Sequence, residues 1–196
     1  KQAFDFSQKA SGMHRAIETC GQPWVAMING LALGGGFELA LACHYRILVD
    51  DPRAVVGLPE VNVGLLPGSG GTQRMLRLAG VQASMDLLLS GRAVSGSEAL
   101  KLGIIDAVVA ADRMEGTARA WLATNPEPVK PWDVKGYAMP EARGLIVPEY
   151  SSSMMFAAGS ITKAGYNMPA PVAILSCIYE GSILPFDKAL SVESKY

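Results

Sequence analysis

Apolar positions in this chain come in short bursts, and the spacing within each burst predicts an element. Over residues 1–19, Phe4, Ser7, Gln8, Ser11, His14, Arg15 and Glu18 mix with apolar positions in the manner of an amphipathic helix. Residues 24–28 and 45–49 are dense in strand formers, and between them Phe37, Leu39, Ala40, Leu41 and Cys43 mark a buried helix over about 36–43. Thr72 is the expected N-cap of a helix running through Leu78, followed by a further helix over 81–89. Ser95-Gly96-Ser97-Glu98 opens another helix, Gly103 stops it, and residues 104–109 read as a strand. Residues 111–124 form one more helix. Short strands alternating with helices predict an α/β fold with a largely parallel sheet.

The prolines at 126, 128 and 131 suppress both helix and sheet, so an extended linker is expected over residues 125–148. Residues 1–124 then make a core unit, and 149–196 a helical region interrupted near Pro169, Pro171 and Pro185. In that region Met155, Phe156, Val172, Ile174, Leu175, Ile178 and Leu190 read as packing surface.

Composition narrows the function. With 196 residues and 49% hydrophobic content the chain can bury a proper core. Seventeen basic against eighteen acidic residues, with no basic run, argue against nucleic acid or an anionic membrane as the main partner. Cys20, Cys43 and Cys177 are odd in number and set among apolar neighbours, which predicts buried thiols in a reducing compartment. No apolar run approaches the ~20 residues of a membrane span and no secretory h-region opens the chain, so a cytoplasmic location is expected.

Candidate chemistry begins at Ala32-Leu33-Gly34-Gly35-Gly36-Phe37-Glu38, a strand end, a glycine loop and a helix start. Glycines let a ligand approach the backbone, and the first helical turn leaves N–H groups without intrahelical partners. Such a place favours an anion or a developing oxyanion. Glu38 alone is accounted for as an acidic residue complementing the helix dipole. Gly57-Leu58-Pro59-Glu60 shifts the balance, because a second fixed carboxylate beside an oxyanion site suggests acid–base chemistry at a carbonyl compound. Other classes fall away. A dinucleotide fingerprint would need glycine at Leu39 or Gln73, there is no phosphate-binding P-loop, and Ser69 lacks a nucleophile-elbow frame. His14 and His44 read as structural, and they make no metal site.

Five stretches together resemble the crotonase family of enoyl-CoA hydratases and isomerases. They are Pro23-Trp24-Val25-Ala26-Met27-Ile28-Asn29-Gly30, Ala32-Leu33-Gly34-Gly35-Gly36-Phe37-Glu38-Leu39-Ala40, Gly57-Leu58-Pro59-Glu60, residues 64–74 from Gly64 to Arg74, and Ala99-Leu100-Lys101-Leu102-Gly103-Ile104-Ile105-Asp106. They cover roughly half the chain in family order. Pro131-Trp132-Asp133-Val134-Lys135-Gly136 and Pro169-Ala170-Pro171-Val172-Ala173-Ile174-Leu175 resemble the multifunctional fatty-acid oxidation branch, where a 3-hydroxyacyl-CoA dehydrogenase part follows the hydratase part. The resemblance implies a spiral of strand-strand-helix repeats with a C-terminal helical region. It also implies hydration of trans-2-enoyl-CoA with isomerase capacity.

Carried over by residue, the resemblance makes Glu38 the base acting on water and Glu60 the acid protonating C2. Gly35, flanked by Gly34 and Gly36, supplies an oxyanion N–H; Pro59 lies in the substrate-binding stretch, and Gly68 has its N–H near the catalytic water. Neither a metal nor a redox cofactor is implied for this part: coenzyme A arrives on the substrate, and NAD belongs to the dehydrogenase part. The partners implied are an acyl-CoA thioester and a thiolase subunit or a second copy. Three departures stand out. The 49–56 segment is longer, His44 replaces an acid, and the loop donating the second oxyanion N–H is expected before residue 1. A chain lacking that loop is expected to be inactive and poorly soluble. The competing function is a scaffold subunit that binds acyl-CoA without turnover, separable by crotonyl-CoA hydration.

Overall fold

The computed structural model describes residues 2–137, 139, 159 and 168–196. After the helix Gln2–Thr19 (α1), strands and helices follow a repeating order. Val25–Ile28 (β1) and Ala32–Leu33 (β2) precede the helix Gly35–Ala42 (α2); Tyr45–Val49 (β3) and Val55–Gly57 (β4) precede the helix Gly71–Ser90 (α3). In each repeat the first strand enters one sheet and the second strand the other. One sheet has the order β1-β3-β6, all parallel, with Ala107–Val109 as β6; in the other, β2 lies parallel to β4 and Val94–Ser95 (β5) runs antiparallel to it. This is the α/β spiral of strand-strand-helix repeats that the sequence led us to expect.

The strands of the first sheet have no polar face of their own, as parallel strands covered by helices require. Ile47 and Leu48 are completely buried, along with Phe37 and Leu41 of α2 and Leu76 and Leu88 of α3. The helices Gly96–Lys101 (α4) and Met114–Ala123 (α5) close the repeats, and Tyr45 stacks on Trp121 at 4.8 Å between ring centroids. Two helices, Pro169–Ser182 (α6) and Phe186–Lys195 (α7), complete the described chain. Ala170, Ile174, Leu175 and Ile178 of α6 belong to the same apolar cluster as the strands. No helix among the described residues is long and apolar enough to cross a membrane.

Several local expectations are corrected. Thr72 does not cap a helix: the cap is Gly70, in the left-handed region at φ 98°, and Thr72 is the second residue of the helix. The expected separation of two helices at this point holds, since Gly80, at φ 80° and ψ 174°, breaks the helical path within α3. The strand expected over 104–109 starts at Ala107, because Ile104 and Ile105 donate to the Ala99 carbonyl and close the turn of α4. Residues 111–113 form a 3-10 turn ahead of α5. Cys43 and Cys177 are buried, but Cys20 is exposed and accepts a hydrogen bond from Trp24 Nε1 at 3.2 Å. Met155 and Phe156 lie outside the described residues, and Val172 is exposed rather than packed.

Residues 125–137, the described part of the proline-rich stretch, hold a single 3-10 turn and are anchored to the core. Lys130 is buried, and its Nζ donates to the carbonyls of Leu41 (3.0 Å) and Cys43 (2.7 Å) at the end of α2. Those carbonyls lie at a helix C-terminus, where a cation also complements the dipole. Trp132 follows in a 3-10 turn and stacks on Phe186 of α7 at 4.8 Å.

Candidate active site

The pairing of β2 with β4 builds the site. The two strands run parallel with Leu33 opposite Gly57, so they end at one level and their continuations emerge side by side. One continuation is Gly34-Gly35-Gly36 and the start of α2; the other is Leu58-Pro59-Glu60, with Pro59 capping a 3-10 turn Glu60–Val63. The Gly34 N–H donates to the Gly57 carbonyl at 3.0 Å, locking the two together. Gly34 itself sits at φ 56° and ψ −133°, a backbone that L residues avoid. Its carbonyl accepts from the N–H groups of Phe37 and Glu38, which makes Gly35 the first residue of α2, with an N–H that has no acceptor within the helix.

Both carboxylates converge on this turn. Glu38, one turn into α2, is only 3% exposed, and its Oε1 accepts from the N–H groups of Ser69 and Gly71, each at 2.8 Å. A Cβ on Gly71 would lie 2.7 Å from that oxygen, so only glycine lets the amide come this close. Glu60 approaches from the other side, its Oε1 within 3.1 Å of where a Gly34 Cβ would stand. Its Oε2 is buried, and no hydrogen-bond partner for it lies among the described residues. Burial raises its pKa from 4.5 to about 7; its own backbone N–H opposes the rise, and the negative charge of Glu38 adds a lesser upward push.

The structure therefore brings Gly34, Gly35, Pro59, Glu38 and Glu60 to one turn. Gly36 takes its place one residue further into α2, lining a groove of about 650 Å³ beside Leu33 and Leu39 that neither glutamate enters. Gly68 is nearby, but the backbone groups that grip Glu38 belong to Ser69 and Gly71; the Gly68 carbonyl accepts from Ser7 Oγ at 2.7 Å. Among the described residues no cluster of His, Cys, Asp or Glu suits a metal ion. His44 Nδ1 accepts from the Trp24 N–H, and His14 Nδ1 donates to the Ser69 carbonyl at 3.0 Å.

The loop behind Glu38 is held by residues that the sequence pattern did not single out. Arg74 is fully buried; its Nη1 donates to the Ser69 carbonyl, and its Nε and Nη2 grip the Glu18 carboxylate of α1 at 2.8 and 3.1 Å. Arg15 ties Glu18 onward to Asp133 and Asp187. Three guanidiniums, from Arg15, Arg74 and Arg77, lie 4.9–5.4 Å from the centre of the Phe186 ring. One carboxylate was missed altogether. Glu193 of α7 is buried and accepts from Gly70 N–H (2.5 Å), Thr72 N–H (2.9 Å) and Thr72 Oγ1 (2.5 Å). The signal for it was present: Phe186, Leu190 and Glu193 fall on one helical stripe, and a carboxylate on an apolar stripe needs a partner.

The chain resembles known proteins over nearly all of its length. A family model described as enoyl-CoA hydratase/isomerase matches residues 1–128. The fatty acid oxidation complex subunit alpha of Shewanella loihica is 36% identical over 199 residues, which takes in 99% of this chain and 27% of that protein. Thus the chain spans about a quarter of the length of that curated relative. Among solved structures, the enoyl-CoA hydratase of Bacillus anthracis is 29% identical with a TM-score of 0.57, covering 90% of this chain and 60% of its own. The corresponding enzyme of Geobacillus kaustophilus is 25% identical with a TM-score of 0.59, covering 97% and 58%.

Proposed function

Since this chain belongs to the enoyl-CoA hydratase/isomerase family, we propose that it carries the hydratase site of a fatty-acid β-oxidation enzyme, adding water across C2=C3 of a trans-2-enoyl-CoA. The observation that carries the reading is the meeting of two unlike carboxylates at the start of α2. Glu38 is pinned by two amides, and Glu60, with a free oxygen and a pKa raised to about 7, is suited to hold a proton near neutrality.

In this reading the thioester carbonyl lies on the Gly35 N–H at the positive end of α2. Glu38 takes a proton from a water, whose oxygen bonds to C3. The C2=C3 electron pair moves toward the carbonyl, and the enolate charge rests on the oriented N–H. Glu60 then delivers its proton to C2, giving the 3-hydroxyacyl thioester. The chemistry calls on no metal and no redox cofactor, and coenzyme A comes with the substrate. Isomerisation of 3-enoyl to 2-enoyl thioesters needs the same oxyanion site and one proton-carrying glutamate, so it belongs to the proposal as a side capacity. Partners in a larger assembly, such as a thiolase subunit or a second copy, and a cytoplasmic location are part of the same proposal.

The test is the loss of crotonyl-CoA absorbance with the chain carrying the loop expected before residue 1, beside Glu38→Gln and Glu60→Gln in the same form. Each replacement keeps shape and removes a proton carrier, so turnover is expected to fall at least ~10²-fold with thioester binding retained. Binding of crotonyl-CoA without hydration by that loop-bearing protein with both glutamates in place would favour the scaffold function instead.

A further inference from the structure

Two carboxylates, not one, are seated on the start of α3, and they take alternate amides. Glu38 of α2 receives the N–H groups of Ser69 and Gly71; Glu193 of α7 receives those of Gly70 and Thr72 and the Thr72 hydroxyl. Four successive backbone donors thus point alternately to the two acids, and neither acid can move without turning the strip of backbone that holds the other. We infer that Glu193 is a positioning residue for Glu38, fixing from the C-terminal helix the 69–72 backbone on which the Glu38 carboxylate is held. The inference rests on the hydratase reading above and extends its site to a helix that follows the family-matched segment.

The surroundings favour this role over that of an ordinary buried acid. Glu193 is 2% exposed and lies on the apolar stripe of α7, so removing it from water has to be offset locally. Among the described residues the offset comes from the Gly70–Thr72 segment and from Arg74, whose guanidinium also holds the Ser69 carbonyl. A carboxylate placed only to anchor α7 would not need to share a donor ladder with the proposed base. Facing groups on the packed elements are Glu38 from α2, Arg74 from α3 and the Cys177 thiol from α6. Burial raises the Glu193 pKa to about 8, and the Glu38 charge adds to the rise, while the Thr72 and Gly70 bonds and Arg74 oppose it. The two acids are electrostatically linked as well as mechanically joined.

Two measurements decide the matter. In a double-mutant cycle on crotonyl-CoA hydration by the chain carrying the loop expected before residue 1, Glu193→Gln is expected to lower kcat about tenfold to a hundredfold with KM little changed, the scale of a small misplacement at a reacting centre. In the Glu38→Gln background it should cost nothing further, because it acts through Glu38. Equal fractional losses in both backgrounds, or no loss in either, overturn the inference and mark Glu193 as structural only. The second measurement needs no turnover and leaves Glu193 in place: 13Cδ-glutamate NMR of the unaltered chain and of Glu38→Gln. Removing the Glu38 charge should move the Glu193 midpoint down. A midpoint that stays put overturns the inference whether or not the chain hydrates crotonyl-CoA. A midpoint that falls while the chain carrying the loop expected before residue 1 shows no hydration upholds the pairing and sinks the hydratase reading alone.

Discussion

Glu60 shows how one side chain couples chemistry to stability. Its pKa is about 7 in the folded chain against 4.5 for the ordinary carboxyl, so between those values the folded state holds a proton that the unfolded state has released. Stability linked to this group is complete below pH 4.5 and is lost as pH rises through 7. Glu60→Gln removes the loss. The melting temperature of that variant should match the unaltered chain near pH 4.5 and exceed it at pH 8. Because Glu60 is partly open to solvent, the gain is about 1–2 kcal/mol, or a few degrees. Other titrating groups are common to both proteins and cancel, so equal melting temperatures at pH 8 would contradict the buried, unpaired oxygen. At this scale the motif residues were legible, since Glu38, Glu60 and the glycines stand at fixed steps from strand ends. The residues that hold them were not: Gly71 matters because an amide must reach Glu38, and Thr72 looks like a cap until Glu193 arrives from 121 residues away.

Elements in this chain are tied by charge as much as by apolar packing. The Glu18–Arg74 pair joins α1 to α3 with both side chains wholly out of solvent, and Arg15 extends it toward α7 through Asp187. A buried pair is weak evidence of net stabilisation, but breaking it is costly because the surviving charge is left alone. Glu18→Ala is expected to destabilise by about 3–5 kcal/mol in chemical denaturation, while Glu18→Ala with Arg74→Met should recover part of the loss. A single-variant effect below ~1 kcal/mol would show that the pair does not hold α1 to α3. Sequence pattern located most elements within a residue or two, because 3.6 and 2.0 periods survive tertiary packing. It failed where the third dimension decides: β6 begins late because residues 104 and 105 close a helical turn, and β4 and β5 are too short to show a period. The proline stretch reads as a spacer, yet Lys130 within it holds the end of the helix whose start carries Glu38.

For the molecule as a whole, the C-terminal helices are part of the same interior as the strands. Ile174 and Ile178 are fully buried in the main apolar cluster, and Phe186 and Leu190 pack with Trp132. Four such side chains, at roughly 1.5–3 kcal/mol each for full burial, amount to ~10 kcal/mol, as much as a whole domain's usual margin of ~5–15 kcal/mol. Polar groups depend on these helices too. Gln73 donates to the Cys177 carbonyl, and Arg77 to those of Gly181 and Leu184, so their removal would strand buried donors on α3. A chain ending at residue 137 is therefore expected to lose its cooperative thermal transition, although both proposed catalytic glutamates remain in it. Supplying residues 168–196 as a separate peptide should restore part of the transition, because the stripes on α6 and α7 face surfaces already shaped on α3. A truncated chain that melts cooperatively at the temperature of the longer one would show that the helices merely lie on a self-sufficient spiral.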